Sequence, residues 1–256
     1  MRPADELRSA FEAYLGSLAF APELGRLQET LRYALESGGK RVRPVLCLAV
    51  AEAAGGELEA ALPAAAAVEL VHTFSLVHDD LPALDDDAER RGRPSAHVAH
   101  GEGVALLAGD ALLVEAFQLV LAYEHVAPAR ELAAATLGMI AGQHRDITGD
   151  DGDLAEVERL KTGRLFSAAV GLGLWVARVP ESEQAPWRAF GDELGLLFQV
   201  VDDILDGDGF AERLGEDGAR ELADEAATHA REALSRLPAD TSVLLEIVDG
   251  LAVRTS

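Results

Sequence analysis

Two aspartate clusters close apolar helical runs in this chain. They are Asp79, Asp80 and Asp85 in DDLPALD, and Asp202, Asp203 and Asp206 in DDILD. A core-facing helix ordinarily carries leucine at such positions. Carboxylates crowded at a half-buried helix end repel one another and lose solvation, so a chain that builds the pattern twice implies a cation to neutralise them. Hard divalent ions such as Mg²⁺ take oxygen ligands, a few from carboxylates and the rest from water and substrate phosphate. The spacing therefore predicts a two-sided, metal-filled pocket for a phosphorylated substrate.

The two clusters need different supports. On a helix, positions i, i+1 and i+4 lie at about 0°, 100° and 40°, so Asp202, Asp203 and Asp206 share one side. Asp85 is six residues past Asp79, about 240° around a regular helix, and would point away. Pro82 removes a hydrogen bond and distorts the turn, so the broken LPAL segment is expected to swing Asp85 back beside Asp79. Asp86 and Asp87 read as solvated acids.

Basic groups bracket the acids. GGKRVRP, with Gly39, Lys40, Arg43 and Pro44, reads as a loop entering a helix, where glycine admits close backbone approach and the helix N-terminus favours an anion. Arg90 and Arg91 follow the first acids, and Lys161 and Thr162 lie midway between the clusters. Of 22 basic residues only Lys40 and Lys161 are lysine; an otherwise arginine-using chain either has a local reason for a compact ammonium there or keeps the two as remnants of a base-composition bias.

Composition sets the frame. The net charge of −23 argues against nucleic acid and anionic membrane, so a phosphate ligand needs local basic groups or metal ions. At 256 residues and 49 % hydrophobic, the chain can bury a large core. The longest uncharged apolar stretch, Leu165 to Ala177, is too short to span a bilayer. The N-terminal MRPADELRSAFEAYLG lacks a signal-peptide core, and Cys47, the only cysteine, allows no internal disulfide, so a cytoplasmic location is expected. Cys47 in VLCLAV reads as an inert core residue.

The dominant period is helical almost throughout. Helices are expected near 3–16, 23–37, 41–54, 58–80, 103–124, 128–147, 153–178, 182–205, 219–236 and 240–253. Breaks are expected at SGG (37–39), AGG (54–56), RRGRPSAHVAHGEG (90–103) and TGDDGD (148–153), with no hairpin. Asp153 followed by Glu156 reads as a helix cap with its capping-box partner rather than a calcium loop. The expectation is one all-α domain over residues 1–256.

Taken together, GGKRVRP, HTFSLVHDDLPALDDDAERRGRPSAH, GMIAGQHRD, KTGRLF and FQVVDDILD resemble, in order from about Leu35 to Asp206, the trans-prenyl diphosphate synthases, or polyprenyl synthetases. The resemblance implies the isoprenoid synthase fold, a bundle of roughly ten or more helices around a central cavity. Asp79, Asp80 and Asp85 match its first Asp-rich motif and Asp202, Asp203 and Asp206 its second. In the family these hold about three Mg²⁺ ions against an allylic diphosphate. Arg90 and Lys161 match residues that grip that diphosphate. Gly39, Lys40, Arg43, His72 and Arg91 match the isopentenyl diphosphate set, and Thr162 and Gln199 match residues beside the reacting carbons. The implied reaction ionises an allylic diphosphate (dimethylallyl, geranyl or farnesyl), adds isopentenyl diphosphate and loses a proton to the released diphosphate. A homodimer is also implied.

Product length follows from the same likeness. The growing chain of the family runs beside the helix bearing the first motif, so Ser75 and Phe74 sit about 6 to 7.5 Å below the metal along its axis. An aromatic ring at Phe74 implies the fifteen-carbon, farnesyl product; the alternative is the geranylgeranyl product. One segment departs from the family. After Asp206, DGDGFAERLGEDGARELADEA is shortened and lacks the lysines that help close the pocket, with Arg213 or Arg220 as possible replacements. A non-catalytic subunit of a heteromeric synthase is therefore a second alternative. A class I terpene cyclase is disfavoured by GGKRVRP and Arg90–Arg91, because a cyclase has no second diphosphate to bind.

Overall fold

The computed structural model describes residues 1–36, 38–149 and 154–253, the side chains of Leu154 and Ala155 excepted. The Asp153–Glu156 cap, Ser37 of the first glycine break and the last three residues of the C-terminal VRTS lie outside that description.

Helix α1 (Ala4–Ser17) buries Leu7, Phe11 and Leu15, a stripe at four-residue spacing. A single turn, Pro22–Leu24, precedes α2 (Leu27–Leu35), so the helix expected over 23–37 is split at Gly25, whose φ of 50° suits glycine. Helix α3 (Val42–Ala53) is buried from Pro44 to Ala51, with proline tolerated in its first turn. Helix α4 (Leu58–Asp79) is apolar nearly all round and forms the centre of the molecule. Pro63 interrupts its hydrogen-bond ladder, and the Tyr123 hydroxyl fills the gap. It donates to the Ala60 carbonyl (2.6 Å) and accepts from the Ala64 N–H (3.2 Å).

The loop expected over 90–103 contains three elements. Strands β1 (Glu89–Arg90) and β2 (Arg93–Pro94) pair antiparallel, and a short helix, α5 (Ala96–His100), follows. The hairpin escapes a pattern search because its strands are two residues long. Its turn is made by Arg91 and Gly92, both at positive φ (55° and 73°), the backbone of a two-residue hairpin loop.

Helices α6 (Glu102–Leu121) and α7 (Ala127–Thr148) follow. The stretch expected as one helix over 153–178 is three pieces: α8 (Leu154–Glu158), a wide π turn (Arg159–Gly163) and α9 (Arg164–Val176). Helix α10 (Ala185–Asp206) ends on the second acids. The segment after it is helical. Helix α11 (Gly209–Ser235) starts ten residues before the expected 219 and is broken only at Gly215 (φ 74°, ψ 161°). Phe210 is buried there, which ties the turn after Asp206 to the core. Helix α12 (Ser242–Ala252) completes the described chain.

Around α4, helix α3 packs on α4 and α9, α6 covers α4, and α10 lies between α9 and α11. Two helices, α4 and α6, are long and apolar enough to cross a membrane by length and composition alone. Helix α4 is mostly buried in the protein, but α6 is not. Most of the large apolar side chains left exposed lie between Val98 and Ile147, among them Leu107, Val114, Leu121 and Leu137.

Cys47 is fully buried and its thiol is pushed up to about 12 by burial alone. Because the thiolate is the nucleophile, iodoacetamide at pH 8 is expected to leave Cys47 unlabelled in the native protein and to label it fully after denaturation. Mass spectrometry showing rapid native labelling would contradict this packing.

Candidate active site

Helix α4 stops at Asp79, ahead of Pro82, and the chain folds back on itself. The Leu84 N–H donates to the Leu81 carbonyl (2.9 Å), placing proline second in a four-residue turn, where its fixed φ fits. The Asp85 N–H then donates to the Asp79 carbonyl (2.9 Å). Asp85 is thus returned beside Asp79, as the broken LPAL turn predicts. Burial pushes the Asp79 carboxyl up to about 6, and Asp85 adds repulsion, with Lys161 and Arg90 opposing.

Asp80 goes elsewhere. It is buried and accepts from Arg90 through Nε (2.9 Å) and Nη2, while Nη2 also donates to Asp87 (3.0 Å). Asp87, expected to be merely solvated, thus helps hold Arg90. The second cluster divides in the same way. Asp203 is buried and accepts from Gln199 Nε2 (2.6 Å) and from the Phe210 N–H (2.8 Å). Asp202 is half-buried and its carboxyl is raised by burial and by Asp206, against Lys40 and Arg43. Asp206 is exposed. Of six predicted acids, Asp79 with Asp85 and Asp202 with Asp206 are left available, and Asp80 and Asp203 serve their neighbours.

The basic wall is built on a residue that sequence reasoning passed over. Arg41 begins α3 in the left-handed conformation (φ 48°) and is almost fully buried. Its Nε donates to Glu12 (2.8 Å), Nη1 to buried Glu69 (2.5 Å) and Nη2 to the Leu35 carbonyl (2.6 Å). Arg41 thereby fixes the loop that presents Lys40 and Arg43. Arg91 donates to the Gly38 carbonyl, and its guanidinium crosses Gly39 so closely that a Cβ there would lie 2.5 Å from Nη1. Burial, with Arg43 and Arg91 nearby, holds the His72 imidazole well below the usual histidine range. It is neutral at pH 7 and offers a hydrogen bond rather than a charge.

Lys161 and Thr162 stand on the π turn, a conformation frequent at functional sites. Lys161 Nζ donates to Asp146 (2.5 Å). Burial works against its charge but is outweighed by Asp146 and then Asp79, so the ammonium is held above its ordinary value. The turn presses on α7: a Cβ at Gly142 would sit 2.5 Å from the Lys161 nitrogen.

These side chains line two cavities that meet. One, about 390 Å³, is lined by Asp79 and Lys161 and is largely apolar, with Phe74, Ser75, Met139, Ile140 and Leu165 on its walls. The other, about 550 Å³, is lined by Gly39, Lys40, Arg90 and Arg91, with Gln199 and Asp202. Arg43, His72, Leu76 and Thr162 line both. Such a pair can take two anionic head groups, one of them carrying a hydrocarbon tail, and bring their reactive carbons together. Among the described residues no three His, Cys, Asp or Glu side chains form an ion cage unaided.

A family model for polyprenyl synthetases matches residues 25–249. The chain belongs to the polyprenyl synthetase family. It is 39 % identical over 218 residues to a geranylgeranyl diphosphate synthase of Cyanophora paradoxa, covering 79 % of this chain and 73 % of that one. It is 38 % identical to a farnesyl diphosphate synthase of Geobacillus stearothermophilus over 219 residues, 80 % and 74 % of the two chains. Plant relatives at 44–45 % identity are longer, and the chain spans 56–63 % of their length. The crystal structure of a geranyltransferase from Legionella pneumophila superposes with a TM-score of 0.85 at 32 % identity, covering 98 % of this chain and 96 % of that one. This polyprenyl synthetase is accordingly an all-α isoprenoid synthase and a prenyltransferase.

Within this synthetase one acid was not foreseen. Glu158, just before the π turn, is pushed up to about 7 by burial and then by Asp203, with Lys161 opposing. Nothing in ERLKTG marks it, because its surroundings come from α10 and α7. Arg220, considered as a replacement for the missing lysines, is paired along α11 with Glu216 (2.7 Å). Gln199 lines the basic cavity. Since its amide nitrogen is tied to Asp203, the oxygen is the end turned away from that carboxylate.

Proposed function

We propose that the enzyme condenses isopentenyl diphosphate with an allylic diphosphate and stops at farnesyl diphosphate. The observation that supports this most is the junction of the apolar and basic cavities at Arg43, His72, Leu76 and Thr162. The allylic tail occupies the apolar cavity, its diphosphate held at the mouth by Lys161 and Arg90. Asp79 and Asp85 on one side and Asp202 and Asp206 on the other would hold Mg²⁺, which when bound neutralises the departing diphosphate. Asp80 keeps Arg90 aimed, and Asp203 keeps Gln199 aimed. Lys40, Arg43 and Arg91 bind isopentenyl diphosphate, with neutral His72 donating a hydrogen bond.

Breaking the allylic C–O bond leaves a carbocation. The Thr162 hydroxyl and the Gln199 oxygen turn the negative ends of their dipoles toward it, a preorganised electrostatic stabilisation. The double bond of isopentenyl diphosphate supplies the electron pair for the new C–C bond, and the proton lost from that substrate goes to the released diphosphate. The deciding experiment incubates the pure protein with Mg²⁺, isopentenyl diphosphate and, in turn, dimethylallyl, geranyl or farnesyl diphosphate, with chromatography of the products. If no primer supported consumption of isopentenyl diphosphate, the protein would instead be a non-catalytic subunit.

The farnesyl assignment rests on Phe74. Its ring is buried on the wall of the apolar cavity and meets His78 edge-on at 5.0 Å. Phe74→Ala is expected to lengthen the main product by at least one five-carbon unit. A geranylgeranyl product from the wild type would favour the second reading, which the names of most relatives at 39–45 % identity support.

We further propose that a second copy covers the apolar face of α6 and α7, since exposed apolar patches of this kind mark association surfaces. The double substitution Leu107→Asp, Leu121→Asp should turn a dimer into a monomer by light scattering. Unchanged mass would place the interface elsewhere.

A further inference from the structure

Arg43 is held differently from the ion-paired cations of the site. Arg41 is matched by Glu12 and Glu69, Arg90 by Asp80 and Asp87, and Lys161 by Asp146. Among the described residues Arg43 makes no ion pair. Its guanidinium lies over the ring of Phe166, 4.6 Å from the centroid, with the Phe198 ring at 5.5 Å. The two rings are 4.8 Å apart and inclined at 42°. Arg43 Nε is buried with no hydrogen-bond partner, and Phe166 is fully buried.

An aromatic face attracts a cation through its quadrupole without bringing a negative charge. A carboxylate in the same place would fix the guanidinium equally well but would also neutralise it, and an incoming diphosphate would have to displace it. Arg43 stands where the two cavities meet, so the rings fix a positive charge at the junction that no carboxylate touches directly.

We propose that Phe166 is a positioning residue whose ring holds Arg43 ready for the diphosphate of isopentenyl diphosphate. This rests on the reading of the basic cavity as the site for that substrate. The competing role for a buried phenylalanine is plain packing, and substitution by leucine would disturb both. Fluorinated phenylalanines separate them, because successive fluorines drain the ring's negative face with little change of shape.

With mono-, tri- and pentafluorophenylalanine at position 166, the Kd for isopentenyl diphosphate, measured by calorimetry, should rise stepwise. The total rise expected is about two- to thirtyfold, at constant melting temperature. In an Arg43→Gln background the same series should be flat. A flat series in the Arg43 protein, while Arg43→Gln itself weakens binding, would overturn the role of Phe166. Equal losses in both backgrounds would mean packing and overturn it as well. Failure of the unmodified protein to bind isopentenyl diphosphate at all would remove the site assignment, and this inference with it.

Discussion

Asp79→Asn is expected to lower prenyl transfer by roughly 10²–10³-fold while raising the melting temperature of the metal-free protein. The two effects have one cause. Asp79 is lifted from 3.8 to about 6 by burial and by Asp85. The folded state therefore binds more protons than the unfolded state between those values, and stability falls as pH rises through that window. At pH 7 the ionised carboxylate opposes folding by on the order of 3 kcal/mol. Asparagine removes that cost but also a charged oxygen proposed to hold Mg²⁺ against the diphosphate. Calorimetry in chelating buffer at pH 7 should show the variant melting higher. Added Mg²⁺ and inorganic pyrophosphate should then stabilise the wild type more than the variant. Wild-type turnover, or a lower melting temperature, would contradict the assignment.

Glu69→Ala should have the largest effect on stability, a loss of about 3–5 kcal/mol. Both Glu69 and Arg41 are almost fully buried, and their contact is 2.5 Å. Removing the carboxylate leaves a guanidinium inside the protein with only half-exposed Glu12 to answer its charge. For a chain of this size such a loss lowers Tm by roughly 6–20 °C. Glu69→Ala with Arg41→Met should recover much of it, since an apolar pair replaces the buried charges. Thermal denaturation followed by circular dichroism would decide, and a single variant melting with the wild type would mean the pair is strain-free without its acid. Activity should fall in both proteins, because Arg41 also fixes the loop that carries Lys40 and Arg43.

How far the site could be read before folding depended on whether a residue's task is local. Asp202, Asp203 and Asp206 lie on one helix, so their spacing gave their common side, and Pro82 gave the return of Asp85 to Asp79. The division of labour within each cluster was not legible. Asp80 and Asp203 turn inward because Arg90 and Phe210 meet them there, and those meetings depend on a hairpin of two-residue strands and on a helix that begins ten residues before the expected 219. Arg41 and Glu158 were missed for the same reason: Glu69, Glu12 and Asp203 are close to them only in space. The helical class was plain from periodicity, whereas the π turn at Arg159–Gly163 leaves no pattern in RLKTG.

That turn makes chain length a variable at the centre of the molecule. A π turn holds one more residue than the α turn it replaces. Removing one of its five positions would let a regular helix run from Leu154 to Val176 with both flanks still in register, because the wide turn absorbs the extra residue, but the side chains inside the turn would change the direction they face. Lys161 and Glu158 could not then both keep their neighbours. A one-residue gap or gain here consequently changes which side chains face the cavity rather than the length of a loop, unlike a change beyond Asp206, where the chain is wound into helix from Gly209.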